Sequence, residues 1–198
     1  MLTFCHHELE LPERTIPVSC VARGQSIVGV LLDLTAESAL EQFLERGLSP
    51  THDRSDPFLG FFEELTQYAT GTPFEWRTPI RFEEGTAFQR RIWKAIDEIP
   101  FGESATYAAL AAAVGAPGGA RAAGGACGRN PIPLRVPCHR VVRAGGELGG
   151  FTGVIETKRA LLRHEGVAPF SDGPLFKTEP VERSTGGQGT TISGGDLR

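Results

Sequence analysis

No stretch of the chain approaches 18 consecutive apolar residues, so no helix able to cross a bilayer is expected. Met1 to His7 lacks the basic-then-apolar pattern of a secretory leader, and a soluble, cytoplasmic protein is the expectation. Cysteine is scarce: four residues, at 5, 20, 127 and 138, with no secretory context, which argues against a disulfide scaffold and fits a reducing compartment. No internal repeat is apparent. Positive charge is also in deficit, the formal net charge being −4, which taken whole argues against a polyanionic partner. The deficit is uneven, however. Residues 1–80 carry 5 Lys/Arg against 12 Asp/Glu, residues 81–166 carry 12 against 8, and residues 167–198 carry 3 against 4. Any polyanion is therefore expected on the middle segment, bound with moderate, salt-sensitive affinity.

What is present suffices for a core: 198 residues with 40% apolar content, enough for one or two domains. Thr15 to Val21 and Ser26 to Asp33 read as a hairpin about Arg23-Gly24-Gln25. Thr35 caps a helix through about Glu45 with Leu40, Phe43 and Leu44 on its apolar side and Gly47 as its stop. Asp56-Pro57 opens a second helix carrying Phe58, Phe61, Phe62 and Leu65, and Thr72 to Phe82 reads as a strand. This first part is a small α+β unit that states no chemistry. Cys5, His6, His7 and Cys20 are the one ligand set zinc could use, but their spacing matches no closed structural site and an ordinary strand is the preferred reading.

Thr86 caps an amphipathic helix to Glu98 with Phe88, Ile92, Trp93 and Ile96 inward, broken by Ile99-Pro100-Phe101-Gly102. Ser104 to Val114, the turn Ala116-Pro117-Gly118, and Gly119 to Gly128 then make a helix-turn-helix. Its last helix is unusual, because Gly124 and Gly125 in its interior cost on the order of 1 kcal/mol each against Ala. Arg121, Gly124, Gly125 and Gly128 share one face, with Ala122, Ala123, Ala126 and Cys127 on the other. Smooth backbone bearing one cation suits close approach to a flat anionic surface such as a DNA groove. Packing of the glycines against another helix is the competing account.

Asn130 to Pro137 contains three prolines, so neither regular helix nor inner strand fits, and a stiff extended passage is expected to deliver Cys138-His139. An unpaired Cys beside a His is a candidate nucleophile and base. Neighbouring side chains point apart, so His139 is expected to act on the sulfur through a water. Downstream lie a short β-branched segment from Arg140, a glycine-rich wing or turn from Ala144 to Gly150, and a final helix from about Glu156 to Glu165. Leu161 and Glu165 share a helical face, which puts a carboxylate on the buried side at the unfavourable end of the helix dipole. His139 is its natural partner, a solvated Glu165 the alternative.

Pro137-Cys138-His139-Arg140-Val141-Val142 resembles the active-site signature of the O6-alkylguanine-DNA alkyltransferases. The likeness runs from about Thr86 to Gly166 through Phe101-Gly102-Glu103, Tyr107, Arg121, Gly149-Gly150-Phe151-Thr152-Gly153 and Leu161 to Gly166. It implies an α+β chain with a ribonuclease H-like scaffold over residues 1–83 and a winged helix-turn-helix-like catalytic and DNA-binding domain over 84–167; residues 168–198, rich in Gly, Ser and Thr and poor in large apolar groups, read from composition as a mobile tail. It implies repair of O6-alkylguanine in double-stranded DNA (O4-alkylthymine a further candidate) by a monomer that flips the base and takes the alkyl group irreversibly onto Cys138, with no cofactor. By the same resemblance His139 and Glu165 form a relay with Cys138, Asn130 braces the turn, and Tyr107 assists the leaving guanine. Arg121 fills the gap left by the extruded base. Gly124, Gly125, Ala122 and Arg129 join it at the DNA, and Pro133, Val141, Phe151, Thr152 and Cys127 form the substrate pocket. The main-chain carbonyls of Cys138 and Val141 match acceptors for the exocyclic amine. Some relatives hold zinc in the first domain, but the matching ligands are incomplete here.

Three other readings compete: a Cys-His hydrolase, which leaves the smooth helix unexplained; a non-repairing alkyl-lesion sensor, against which Cys138 speaks; and a helix-turn-helix transcription regulator, which leaves Pro-Cys-His unexplained.

Overall fold

The computed structural model of the chain describes residues 2–52 and 58–167, so the expected tail from 168 and the helix opening at Asp56-Pro57 lie outside the described residues. Three strands, β1 (Leu2–Leu11), β2 (Arg14–Arg23) and β3 (Ser26–Leu32), form an antiparallel meander, with β4 (Thr51–His52) parallel to β1 at the far edge. Gly24 at φ +60° makes the β2–β3 turn, a conformation a side chain would oppose. The expected hairpin is present, and the N-terminal segment adds a third long strand.

Helix α1 (Ala36–Glu45) begins at Thr35, whose hydroxyl accepts the Ser38 amide. It lays Ala39 and Phe43 on one sheet face against Phe4, Val21, Val28 and Leu31. Leu44, expected inward, is exposed, because the strip that meets the sheet is narrower than the sequence pattern. Helix α2 (Leu59–Ala69) covers the other face with Phe61, Leu65 and Tyr68. Residues 72–82 are not the expected strand. Pro73 and Pro79 lack amide donors. The buried Glu64 carboxylate accepts the amides of Arg77 and Thr78. Only a single bridge between Ile80 and Ile27 survives.

Helix α3 (Ala87–Asp97) starts with a reciprocal capping box between Thr86 and Gln89. The next helix starts later than expected: Ala105–Thr106 form β5, parallel to β6 (Val141–Val142), and Thr106 caps α4 (Tyr107–Ala113). After a turn at Gly115 and Gly118 comes α5 (Ala120–Cys127), and after β6 comes α6 (Ile155–His164). The architecture is α+β, a small sheet followed by a helical part. One apolar cluster runs from Ile16, Val18 and Cys20 of the sheet through Tyr68 and Trp93 to Ile132, Cys138 and Leu161. Asp33 fastens the two parts from the end of β3: its carboxylate accepts from Arg14 (3.2 Å), the Val154 amide (3.2 Å) and the Thr157 hydroxyl (2.6 Å), and so caps α6 from outside that helix.

Candidate active site

The proline-rich passage is not extended. Asn130 folds it into a tight loop, its side-chain amide donating to the Val136 carbonyl (2.8 Å) and its oxygen accepting the Ile132 amide (3.1 Å). Pro133 and Val136 bridge, and Leu134 takes φ +73°, a left-handed turn the prolines alone did not announce. The Val30 amide donates to the Pro131 carbonyl (2.8 Å), tying the loop to the sheet edge. Cys138–Arg140 then form one turn of 3-10 helix. With three residues per turn, adjacent side chains diverge by about 120°. Cys138 consequently faces a cavity while His139, next to it, faces the interior.

That interior holds a dense polar cluster. His139 is fully buried, with Nε2 2.7 Å from Glu165 Oε1. The same oxygen accepts from the Tyr68 hydroxyl (2.7 Å) and Arg140 Nη2 (3.0 Å). Arg140 Nε (2.8 Å) and the Gly102 amide (3.4 Å) reach Oε2. Burial by itself would raise the Glu165 carboxyl, but His139 and Arg140 outweigh it and hold the group well below the usual carboxylate range. Burial pulls the imidazole of His139 down, against the pull of Glu165 upward. Neutral His139 donating from Nε2 to a carboxylate keeps its lone pair on Nδ1. That Nδ1 is buried with no hydrogen-bond partner among the described residues.

Cys138 Sγ lies 4.0 Å from the Thr152 hydroxyl, which also donates to the Cys127 carbonyl (3.5 Å). Burial pushes the Cys138 thiol up, while Asn130, Lys158 and Thr152 pull it down; the net shift is upward, so the resting sulfur is protonated. The sulfur opens onto a cavity of about 500 Å³ lined by Tyr107, Arg121, Gly124, Cys127, Arg143, Phe151 and Thr152 among others. Tyr107, pushed up to about 12 by burial, stays a phenol, and its hydroxyl donates to the Gly150 carbonyl (3.3 Å).

The cavity thus gathers Cys138, Tyr107, Arg121, Gly124, Cys127, Phe151 and Thr152 from the residues singled out in the sequence. Others fall elsewhere. Pro133 lines a smaller neighbouring cavity with Thr152 and Val154, because the loop turns it toward β3. Val141 is fully buried, and its carbonyl receives the ammonium of Lys158 (2.6 Å); the Cys138 carbonyl accepts the Val141 amide. Ala122, grouped with the packing face by spacing, is exposed beside Arg121. Arg129 is exposed and reaches back to the Gly125 carbonyl (3.4 Å). Cys5 and Cys20 are paired across β1 and β2, His6 contacts Ser19 (2.7 Å), and the His7 ring packs on Phe62. Among the described residues no group of three or more His, Cys, Asp or Glu side chains could hold a metal, and no helix is long and apolar enough to cross a membrane.

Three residues escaped the sequence reading. Arg140 adjoins the motif yet serves Glu165, Tyr68 arrives from 97 residues away, and Lys158 is a fully buried cation. Lys158 Nζ holds the Val141 and Gly150 carbonyls (2.6 and 3.2 Å), and burial brings it down to about 8. The pattern Lys158, Leu161, Leu162, Glu165 on one face of α6 was the signal that could have found it.

An α+β protein whose helical part presents a thiol, backed by a buried His–Glu pair, to an open cavity is the class these features define. Residues 87–167 match the 6-O-methylguanine DNA methyltransferase, DNA binding domain. The chain is 46% identical over 147 residues to the methylated-DNA–protein-cysteine methyltransferase of Mycobacterium tuberculosis, covering 72% of this chain and 86% of that one. The crystal structure of the Mycobacterium tuberculosis O6-methylguanine methyltransferase superposes with a TM-score of 0.66 at 35% identity over 86% of this chain and 97% of that one. A structure of Mycobacterium tuberculosis OGT in complex with DNA gives 0.61 at 35% identity over 78% and 89%. The chain belongs to the methylated-DNA–protein-cysteine methyltransferase family.

Proposed function

We propose that this chain repairs O6-alkylguanine in duplex DNA by direct, irreversible transfer of the alkyl group to Cys138. One observation carries the reading: the Cys138 sulfur ends a cavity whose other wall is Arg121 and the glycine face of α5. The glycines are not demanded by packing within the chain. A Cβ at Gly124 would meet nothing nearer than Tyr107 at 3.8 Å, and at Gly125 nothing nearer than a mobile arginine end at 3.7 Å. Smoothness that the protein does not need internally fits a partner pressed close from outside, as a minor groove would be. Arg121 would then fill the stack behind the extruded base, with Gly124, Gly125, Ala122 and Arg129 at the backbone.

The neutral His139 takes the Cys138 proton at Nδ1 through a bridging water, and Glu165 stabilises the imidazolium so formed. The thiolate attacks the alkyl carbon in line, the S–C bond forming as the C–O6 bond breaks. Tyr107 donates to the departing guanine, and the proton from the thiol restores the phenol by way of His139. The balance closes with protein and lesion alone, so no cofactor is needed. A thioether is a poor leaving group, hence one turnover per molecule. Thr152, Phe151 and Cys127 shape the base site, and the Lys158 ammonium favours the thiolate.

Incubating the protein with O6-methylguanine duplex should add a single methyl mass, and Cys138→Ser should add none. Multiple turnover would favour a hydrolase, and DNA binding without a mass change a sensor.

A further inference from the structure

Glu165 stands at the end of α6, where the helix dipole disfavours a negative charge, and its oxygens must nevertheless keep one orientation toward His139. Its own segment supplies none of the five contacts that hold it. One comes from 97 residues away in the chain. Tyr68 on α2 is fully buried, and its hydroxyl donates to Oε1, the oxygen that faces His139. The ring is itself fixed: Phe74, Trp76, Phe101 and His164 surround it with centroids 6.3, 6.2, 5.9 and 5.2 Å away. Its carbonyl accepts from His164 Nε2 at 2.7 Å, closing α2 onto the last residue of α6. Burial, with Glu165 adding to it, raises the phenol, so it remains a donor at every working pH.

We infer that Tyr68 is a positioning residue for alkyl transfer, holding the Glu165 carboxylate in register with His139, so that the N-terminal part belongs to the active site. The inference rests on the alkyl-transfer reading above. Without the phenol, Oε1 keeps only His139 and Arg140 Nη2, and the carboxylate is free to rotate toward the arginine. Less shared, it also pulls harder on the imidazole proton. The charged and titratable groups around His139 are Glu165 and Lys158 of α6, Arg140 and Cys138 beside it, and Tyr68 behind Glu165.

Tyr68→Phe keeps the ring and its aromatic neighbours. Single-turnover transfer from O6-benzylguanine, and from alkylated duplex, would be followed against pH. Amplitude counts the folded, titratable protein, and the rate constant reads the relay, so partial unfolding is separated from slow chemistry. Expected are a rate about tenfold lower on both substrates at full amplitude, as for loss of an outer-shell orienting partner, and an acid limb moved to higher pH. Duplex affinity should stay unchanged. A wild-type rate and pH profile, with or without a lower melting temperature, would overturn the inference. If the wild-type protein itself transferred nothing to Cys138, the functional reading would fail instead.

Discussion

Glu165 collects five donors from three separate stretches of chain, and that fact decides how Cys138 can react. A buried carboxylate so surrounded stays ionised and holds a neutral imidazole in one tautomer, leaving the base on the side away from it. Lys158 acts from the other direction. It pairs with no carboxylate among the described residues and leans on two carbonyls, so the thiolate is the anion its charge can serve. Lys158→Gln should therefore slow alkyl transfer by about 10-fold, in line with losing a nearby cation, and move the pH dependence of Cys138 alkylation by iodoacetamide to higher pH. An unmoved profile would leave Lys158 as a clamp only. Arg121 is exposed and lines the cavity onto which Cys138 opens. Arg121→Ala should leave reaction with free O6-benzylguanine intact and reduce duplex repair by about 10–100-fold, because an unstacked base costs a few kcal/mol to hold out. Equal loss on both substrates would contradict that role.

At the scale of elements, α5 is the part whose sequence works against its own stability. Ala123, Ala126 and Cys127 are buried against the cluster and anchor it, leaving the glycines outward. Gly125 has room for a methyl group and a helical backbone. Gly125→Ala should raise stability by about 0.5–1 kcal/mol, a melting increase of about 2–4 °C per kcal/mol, while weakening binding to duplex DNA measured by titration. A variant that gains stability and binds duplex as before would show that the smooth face has no external partner. Much of this element layer was legible in advance. Thr35, Thr86 and the glycine stops marked helix ends because capping is local chemistry. The failures were non-local: α4 begins at Tyr107 and not at Ser104, because Ala105–Thr106 are pulled into pairing with Val141–Val142. Residues 72–82 lost their strand because Glu64 took their amides.

Across the whole molecule the two parts share one core and one buried polar network, so folding and reactivity are linked through pH. His139 and Glu165 both have folded values below their ordinary 6.5 and 4.5, so the unfolded chain binds more protons than the native one as pH falls through that range. Stability from these groups is present above about pH 6.5 and lost progressively in acid. The melting temperature should fall from pH 7 to pH 4, and Glu165→Gln should flatten the lower part of that fall. A pH-independent melting curve would count against a buried ionised carboxylate beside a neutral imidazole. The sequence by itself determined the thiol motif, the helix-turn-helix and the charge asymmetry, because these depend on neighbours within a few residues or on counting. Only the tertiary structure decided that Pro133 leaves the cavity, that Val141 offers its carbonyl to Lys158, and that Tyr68 from the N-terminal part meets Glu165. Burial and the pairing of buried charges are properties of segments brought together by packing, and no local pattern records which segment will arrive.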